Sequence, residues 1–433
     1  MQAVIMAGGK GTRLVSITKD EFPKPMVPIL GKPLLEWQIE QLKQNNISEI
    51  IIIIGHLGDK IKDYFGNGDK FNIQITYVKE NTPLGTAGAF YHLKNLIHND
   101  NFLLVFGDVF FNIDIKKMLE FHNCKNSMAT LFVHPNSHPY DSDLVTLDSN
   151  SKIQEFNSKN NIRDYWYDNC VNAGFYILNK SVCDLIKEEK RYDLEKDILF
   201  KLVEENQPVF GYHSSEYIKD IGTVERIQNT LHDIWLEIPE QKCLKNKQKC
   251  IFIDRDGTIN QYKGLIYQEK DFVLETGVDE AFKLINKSSW LSIVITNQPV
   301  VARGLCSIED VENVHKKMTT LLGKKGVFID DILFCPHHPD KGYPEENPDY
   351  KIKCECRKPG IGLIEQASKK YNIDLKNSWF IGDTTIDIQT GKNAGMKTAL
   401  VLTGEKGQDR KYNAQPDLVS ENLLEAVRRI LEE

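Results

Sequence analysis

A chain of 433 residues exceeds what one hydrophobic core organises, so two or three domains are expected, two large ones fitting best, and 41% hydrophobic with 27% charged residues is an ordinary globular composition. Its net charge of −7 argues against nucleic acid as the main partner, and no run approaches the roughly 18 apolar residues of a membrane span. The start, MQAVIMAGGKGTRL, lacks the parts of an export signal, and six of nine cysteines (Cys124, Cys170, Cys183, Cys243, Cys250, Cys306) are scattered, as expected of reduced thiols in a cytoplasmic chain.

From residue 2 to about 133, short β-branched runs alternate with helical periods: QAVIMAG, LLEWQIEQLKQ, EIIIIIG, AGAFYHLKNLI and NFLLVFGD. This predicts an α/β fold with ligands at the carboxyl ends of its strands. Gly8, Gly9, Gly11, Thr12 and Arg13 follow the first strand, so the backbone can approach a polyphosphate while amides and the guanidinium supply donors. Lys24 is held between Pro23 and Pro25. Glu80 precedes Leu84-Gly85-Thr86, and Gly107-Asp108 closes an apolar strand where a carboxylate suits a divalent cation. The segment EFNSK (155–159), Asn172-Ala173-Gly174 and Asp220 complete the set.

Together these motifs resemble the sugar-phosphate nucleotidyltransferase family over about residues 1–238. The resemblance implies a Rossmann-like, mixed but mostly parallel sheet, and coupling of a sugar 1-phosphate to a nucleoside triphosphate with release of pyrophosphate. It also implies that the glycine loop and Arg13 hold the triphosphate and that Lys24 steadies the attacking phosphate. Asp108 and Asp220 would bind Mg2+, and Glu80, Leu84, Gly85, Thr86 and Gly107 would line the nucleotide. Glu155, Lys159, Asn172 and Gly174 would hold the sugar; Ser158 stands where the family carries glutamate.

Residues 239–248 read as a polar linker, after which CIFIDRDGT, WLSIVITNQ and SWFIGDT imply a second α/β sheet over 249–433. Asp254 and Asp256 lie two apart beyond the first run, on one side of the chain if it stays extended. One can attack phosphorus while the other serves as acid and base. Thr296-Asn297-Gln298, Arg357-Lys358-Pro359 and Gly382-Asp383-Thr384 follow, and the four elements resemble the haloacid dehalogenase (HAD) phosphatases, of three-layer αβα fold. The resemblance makes Asp254 the nucleophile and Asp256 the acid/base. It assigns Thr296, Asn297, Arg303, Arg357 and Lys358 to phosphate, and Asp254, Asp383 and the Asp256 backbone to Mg2+, supported by Asp387.

Cys335, His337, Cys354 and Cys356 form a C-x-H and C-x-C array suited to structural zinc, with His338 an alternative ligand. CPHHP and CECRKP resemble the heptose 1,7-bisphosphate phosphatase branch and its histidinol-phosphate relatives; Pro299 replaces a small hydroxyl residue. The expected enzyme removes the 7-phosphate of D-glycero-D-manno-heptose 1,7-bisphosphate and then transfers a nucleotidyl group, GMP from GTP by resemblance, to the heptose 1-phosphate for bacterial surface glycans. Its partners are small molecules. The alternatives are a histidinol-phosphate phosphatase beside a hexose 1-phosphate nucleotidyltransferase, and a non-catalytic nucleotide-sensing N-terminal half.

Overall fold

The computed structural model describes residues 1–9, 14, 18–342 and 345–432, so Gly11, Thr12 and Arg13 of the predicted triphosphate loop lie outside the described residues. The chain forms two compact units. The first comprises Met1–His134, Val145–Asn157 and Asn172–Cys243; the second comprises Pro135–Leu144, Ser158–Val171 and Leu244–Glu433. No helix among the described residues is long and apolar enough to cross a membrane.

In the first unit, besides a two-residue antiparallel pair at Pro28–Ile29 and Lys32–Pro33, the strands are β1 (Gln2–Ala7), β2 (Glu49–Ile54), β3 (Gln74–Lys79), β4 (Asn101–Phe106), β5 (Val109–Asn112), β6 (Ala129–His134), β7 (Leu144–Leu147), β8 (Ile153–Asn157), β9 (Val171–Asn179), β10 (Val209–His213) and β11 (Tyr217–Asp220). The main path runs β8-β7-β9-β4-β1-β2-β3, with β6 beside β9 and β10. β1 pairs in parallel with β2 and β4, which sets Ile5 opposite both Ile52 and Val105, while β9 runs antiparallel to β4. Ile50 to Ile54 are buried on alternate sides of β2, as both-faced apolar runs demand. Helix α1 (Leu34–Gln44) spans the predicted LLEWQIEQLKQ, with Leu34, Leu35, Ile39 and Leu42 on its buried face.

AGAFYHLKNLI is helical only over Phe90–Leu93. The expected longer helix starts late because Ala87 is engaged in a turn, its amide bonded to the Tyr192 carbonyl at 3.1 Å.

The second unit contains β12 (Cys250–Ile253), β13 (Leu291–Asn297), β14 (Asp331–Cys335), β15 (Trp379–Gly382), β16 (Lys397–Val401) and β17 (Leu418–Ser420). Their order is β14-β13-β12-β15-β16-β17, and all pairs are parallel. Alternation on β12 divides the core: Ile251 and Ile253 pack under helices that include α2 (Val278–Asn286), α3 (Ile308–Lys324) and α4 (Leu423–Glu432). Cys250 and Phe252 pack with α5 (Gly362–Tyr371) on the other face. That is the expected three-layer arrangement.

Two stretches that precede the linker in sequence belong to this unit. The Tyr167 amide donates to Thr320 Oγ1 at 2.9 Å, Thr319 Oγ1 donates back to the Tyr167 carbonyl at 3.0 Å, and Trp166 Nε1 donates to Glu269 at 3.1 Å. The 239–248 stretch is less exposed than its polar composition suggests: Leu244 and Gln248 are buried, and the Gln248 amide bonds the Asn372 carbonyl at 3.0 Å.

Candidate active sites

In the first unit the chain winds from β1 outward to β3, then crosses to β4 on the other side of β1. In the second it winds from β12 outward to β14, then crosses to β15 on the other side of β12. Loops diverge at such a switch and leave a crevice at the carboxyl strand ends. Both sets of candidate residues lie there: Gly8 follows β1 and Gly107-Asp108 follow β4, whereas Asp254 follows β12 and Asp383 follows β15.

At the first crevice, Lys24 is buried, bonds Asp108 Oδ2, and lies 3.6 Å from Asp220 Oδ1. Strand β11 brings Asp220 in by antiparallel pairing opposite Val109, and the Ile221 amide bonds the Asp108 carbonyl at 2.9 Å. Arg226 Nη1 holds Asp220 Oδ2 at 2.5 Å, while Oδ1 is buried without a hydrogen bond. Two carboxylates on one lysine, one with an orphaned oxygen, make a donor set that hard cations accept.

Gly8 approaches Glu80 so closely that an added Cβ would stand 2.9 Å from its Oε2. Burial raises the Glu80 carboxyl above its ordinary value, eased by the Leu84 amide and His92. Gly85 has φ +78°, and a Cβ there would stand 2.3 Å from the Tyr192 carbonyl oxygen, so only glycine fits. Leu84 is buried and Thr86 Oγ1 accepts the Leu194 amide at 2.7 Å; what this turn can offer a ligand is backbone. The Gly107 amide bonds the Met6 carbonyl at 3.0 Å, and Gly9 is exposed.

Among the predicted sugar residues, Asn172 Nδ2 donates to Tyr176 Oη at 2.9 Å and to Glu195 at 2.5 Å, with Gly174 in the left-handed region at φ +73°. Glu195 was not anticipated; it also accepts from Tyr176 Oη at 3.3 Å. Glu155 and Lys159 are exposed, and no hydrogen bond among the described residues joins either to Asn172. The Lys159 amide instead bonds Asp143 at 2.9 Å.

At the second crevice, Asp254, Asp383 and Asp387 are all buried, with ligand-capable atoms within 4.8 Å of one another. Lys358 Nζ reaches Asp254 Oδ1 at 2.8 Å and Asp387 Oδ1 at 2.6 Å. Asp387 also closes the capping box of the helix Thr385–Asn393 with Thr384. Burial, opposed by Lys358, pushes Asp254 up to about 7, with Asp387 adding repulsion. Burial and the charges of Asp387 and Asp254 push Asp383 up to about 9. Burial pulls the Lys358 ammonium down, but Asp254 and Asp387 carry it above its ordinary value. Three carboxylates against one ammonium leave two negative charges when fully ionised. Asp383 Oδ1 is buried without a hydrogen bond. A divalent cation with oxygen ligands answers both features.

Asn297 grips the Lys358 backbone, accepting from its amide at 3.0 Å and donating to its carbonyl at 3.2 Å; it places the lysine. Thr296 is buried at the end of β13. Arg357 Nη1 bonds the His337 carbonyl at 3.2 Å, and the Arg303 amide bonds the Pro299 carbonyl at 3.0 Å. Asp256 does not stay beside Asp254 on an extended chain: β12 ends at Ile253, and the Asp256 side chain turns to Arg255 and Gln298.

Cys335, His337, Cys354 and Cys356 converge within 4.8 Å. Their contacts run from 3.1 Å (Cys356 to Cys335 and to Cys354) to 3.6 Å (Cys335 to Cys354). Tetrahedral zinc, with Zn–S near 2.3 Å, sets sulfurs about 3.8 Å apart, so the set fits after a small expansion. His338 is turned away, its Nδ1 accepting the Asp340 amide at 3.2 Å.

A nucleotidyl transferase family profile matches residues 2–234, and a HAD-hydrolase-like profile matches residues 355–426. The D-glycero-beta-D-manno-heptose-1,7-bisphosphate 7-phosphatase of Haemophilus ducreyi is 35% identical over 181 residues, covering 42% of this chain and 97% of its own. The D-glycero-alpha-D-manno-heptose-1,7-bisphosphate 7-phosphatase of Photorhabdus laumondii is 39% identical over 180 residues, 41% of this chain and 94% of its own. The UTP--glucose-1-phosphate uridylyltransferase of Synechocystis is 32% identical over 237 residues, 52% of this chain; the chain spans 61% of that relative.

Proposed function

Because the chain belongs to the nucleotidyl transferase family through residues 2–234 and to the heptose-1,7-bisphosphate 7-phosphatases through its C-terminal half, we propose that it is one bifunctional enzyme of nucleotide-activated heptose synthesis. The observation that supports the reading is that each unit gathers carboxylates around a buried lysine at its carboxyl strand ends, the Lys24–Asp108–Asp220 group in one and the Asp254–Asp383–Asp387–Lys358 group in the other. The product of the second is the kind of substrate the first would activate.

In the phosphatase unit, Asp254 attacks the 7-phosphorus, the ester bond breaks, and Asp256 protonates the departing alkoxide. Asp256 then takes a proton from the water that attacks the aspartyl phosphate, which regenerates Asp254. Thr296, Lys358, Arg303 and Arg357 hold the phosphates. Asp254, Asp383 and Asp387 would hold Mg2+, with the Asp256 backbone as the family pattern implies; the ion would neutralise charge on the phosphoryl oxygens. Cys335, His337, Cys354 and Cys356 would hold zinc and so fix the loop that presents Arg357 and Lys358.

In the transferase unit, the family resemblance assigns Gly8, Gly9, Gly11, Thr12 and Arg13 to the triphosphate, Lys24 steadies the sugar phosphate, and Asp108 and Asp220 would hold Mg2+. The phosphate oxygen attacks the α-phosphorus and pyrophosphate leaves, so positioning and charge stabilisation do the work without a protein nucleophile. Glu80 and the Leu84–Thr86 backbone face the nucleotide; Asn172, Gly174 and Glu155 face the sugar, while Lys159 falls in the other unit. The base is expected to be guanine by family resemblance.

The test is to supply D-glycero-D-manno-heptose 1,7-bisphosphate, as each anomer, with each nucleoside triphosphate and identify the product by mass. GDP-heptose together with equimolar phosphate and pyrophosphate is expected. No phosphate release from either anomer would overturn the heptose assignment, and phosphate release from histidinol phosphate instead would replace it.

A further inference from the structure

The acid/base carboxylate is held on both oxygens. Arg255, wholly buried, donates to Asp256 Oδ1 from Nε at 3.2 Å and Nη2 at 2.9 Å, and to Oδ2 from Nη2 at 2.8 Å. Asn260 Nδ2 adds a bond to Oδ1 at 3.1 Å, and Gln298 Nε2 one to Oδ2 at 2.8 Å. The same Gln298 nitrogen donates to Thr296 Oγ1 at 2.9 Å, and Gln298 is only 2% exposed. An amide facing a carboxylate must present its NH2, so the chemistry fixes which way this side chain points. Arg255 is itself anchored by His315 Nε2 at 3.2 Å and the Ile266 carbonyl at 3.3 Å. His315 accepts there as a neutral ring, since Arg255 can only donate.

We propose that Gln298, backed by Arg255, is the positioning residue that sets Asp256 in register with Thr296, an assignment that rests on the phosphatase reading above. The need is geometric. While Asp254 bonds to phosphorus and the ester bond breaks, the Asp256 carboxyl must deliver its proton to the departing oxygen of a phosphate that Thr296 holds. One nitrogen bonded to both groups fixes their separation, where a carboxyl free to rotate would often miss the alkoxide. In the second step the same placement lets Asp256 take the proton of the attacking water. A Gln298 that merely filled the core would affect all substrates alike.

The experiment compares leaving groups in the full chain with Mg2+ present. Gln298→Met is expected to lower kcat on heptose 1,7-bisphosphate, whose alkoxide needs a proton, by about 100-fold with little change in KM. With p-nitrophenyl phosphate, whose nitrophenolate leaves unprotonated, the first-turnover burst should keep its wild-type rate while the later steady state slows. Arg255→Lys, which keeps the charge and loses the fork, should show the same split and serves if Gln298→Met does not fold. A burst slowed as much as alkyl-ester turnover, or wild-type rates with both substrates, would overturn the inference alone. A wild-type chain that cleaves p-nitrophenyl phosphate and glycerol phosphate but not the bisphosphate would overturn the substrate assignment, and the split would then be read on glycerol phosphate. A wild-type chain that cleaves no monoester would overturn the phosphatase reading and this inference with it.

Discussion

Replacing Asp383 by asparagine should stabilise the metal-free phosphatase unit while abolishing phosphate release and the response to magnesium. Asp383 is 1% exposed, with one oxygen bonded to the Glu405 amide at 2.7 Å and the other buried without a hydrogen bond. Gly257 and Gly404 pack against it so closely that a Cβ on either would stand 2.3 or 2.1 Å from Oδ2, so the carboxyl cannot swing away to relieve repulsion. Burial, then Asp387 and Asp254, push it up from 3.8 to about 9. A carboxyl raised in the native state keeps a proton that the unfolded chain has released. Stability therefore falls as pH rises above about 4 and levels off past about 9. Each pH unit in that window costs about 1.4 kcal/mol, which puts the ceiling at pH 8 near 5 to 6 kcal/mol. Asp254, pushed up to about 7, shares the same repulsion, so one substitution should recover about 2 to 4 kcal/mol, or roughly 8 °C in melting midpoint. Calorimetry in chelator at pH 4.5, 6 and 8 would show the variant matching wild type at the acid end and exceeding it at pH 8. Excess Mg2+ would then raise the wild type and leave the variant unmoved. A gap independent of pH, or a variant less stable at pH 8, would refute the reasoning.

Asp254→Asn should abolish phosphate release from the bisphosphate, by at least about 1,000-fold, while nucleotidyl transfer to a supplied heptose 1-phosphate proceeds at the wild-type rate; coupled phosphate and pyrophosphate assays separate the two. Asp108→Ala should do the reverse, removing pyrophosphate release and sparing the phosphatase, because the two sites share no residue. Cys356→Ser should reduce zinc from one equivalent per chain, read by elemental analysis, and lower phosphatase stability by about 2 to 4 kcal/mol, since metal binding free energy is folding free energy; unchanged stability with no zinc in the wild type would remove the metal from the account.

Much was legible before the structure because local chemistry imposes it. LLEWQIEQLKQ places Leu35, Ile39 and Leu42 on one helical face, and α1 buries those side chains. The apolar runs ending in Gly107-Asp108, Asp254 and Gly382-Asp383 became parallel strands, and in each unit their polar termini lie at the carboxyl edge of that unit's own sheet. Where the reading fell short, the deciding contact joins residues far apart in sequence. AGAFYHLKNLI has a helical period, yet the Tyr192 carbonyl claims its first turn. Glu195 meets Asn172 across 23 residues, Gln298 meets Asp256 across 42, and His315 meets Arg255 across 60. Pro135–Leu144 and Ser158–Val171 join the second unit although they lie far before the linker.

The amino-acid sequence alone determined the two α/β sheets, the glycine turns and which acids end the strands, because hydrophobic period, glycine and strand-end carboxylates act over a few residues. Only the tertiary structure decided that Asp387 pairs with Lys358, that Asn297 grips the lysine backbone, and that Asp256 turns from Asp254 toward Arg255 and Gln298. Those outcomes depend on strand order: β13 and β15 flank β12, so side chains from distant segments meet over one strand end, and burial there makes each unpaired charge costly enough to select its partner.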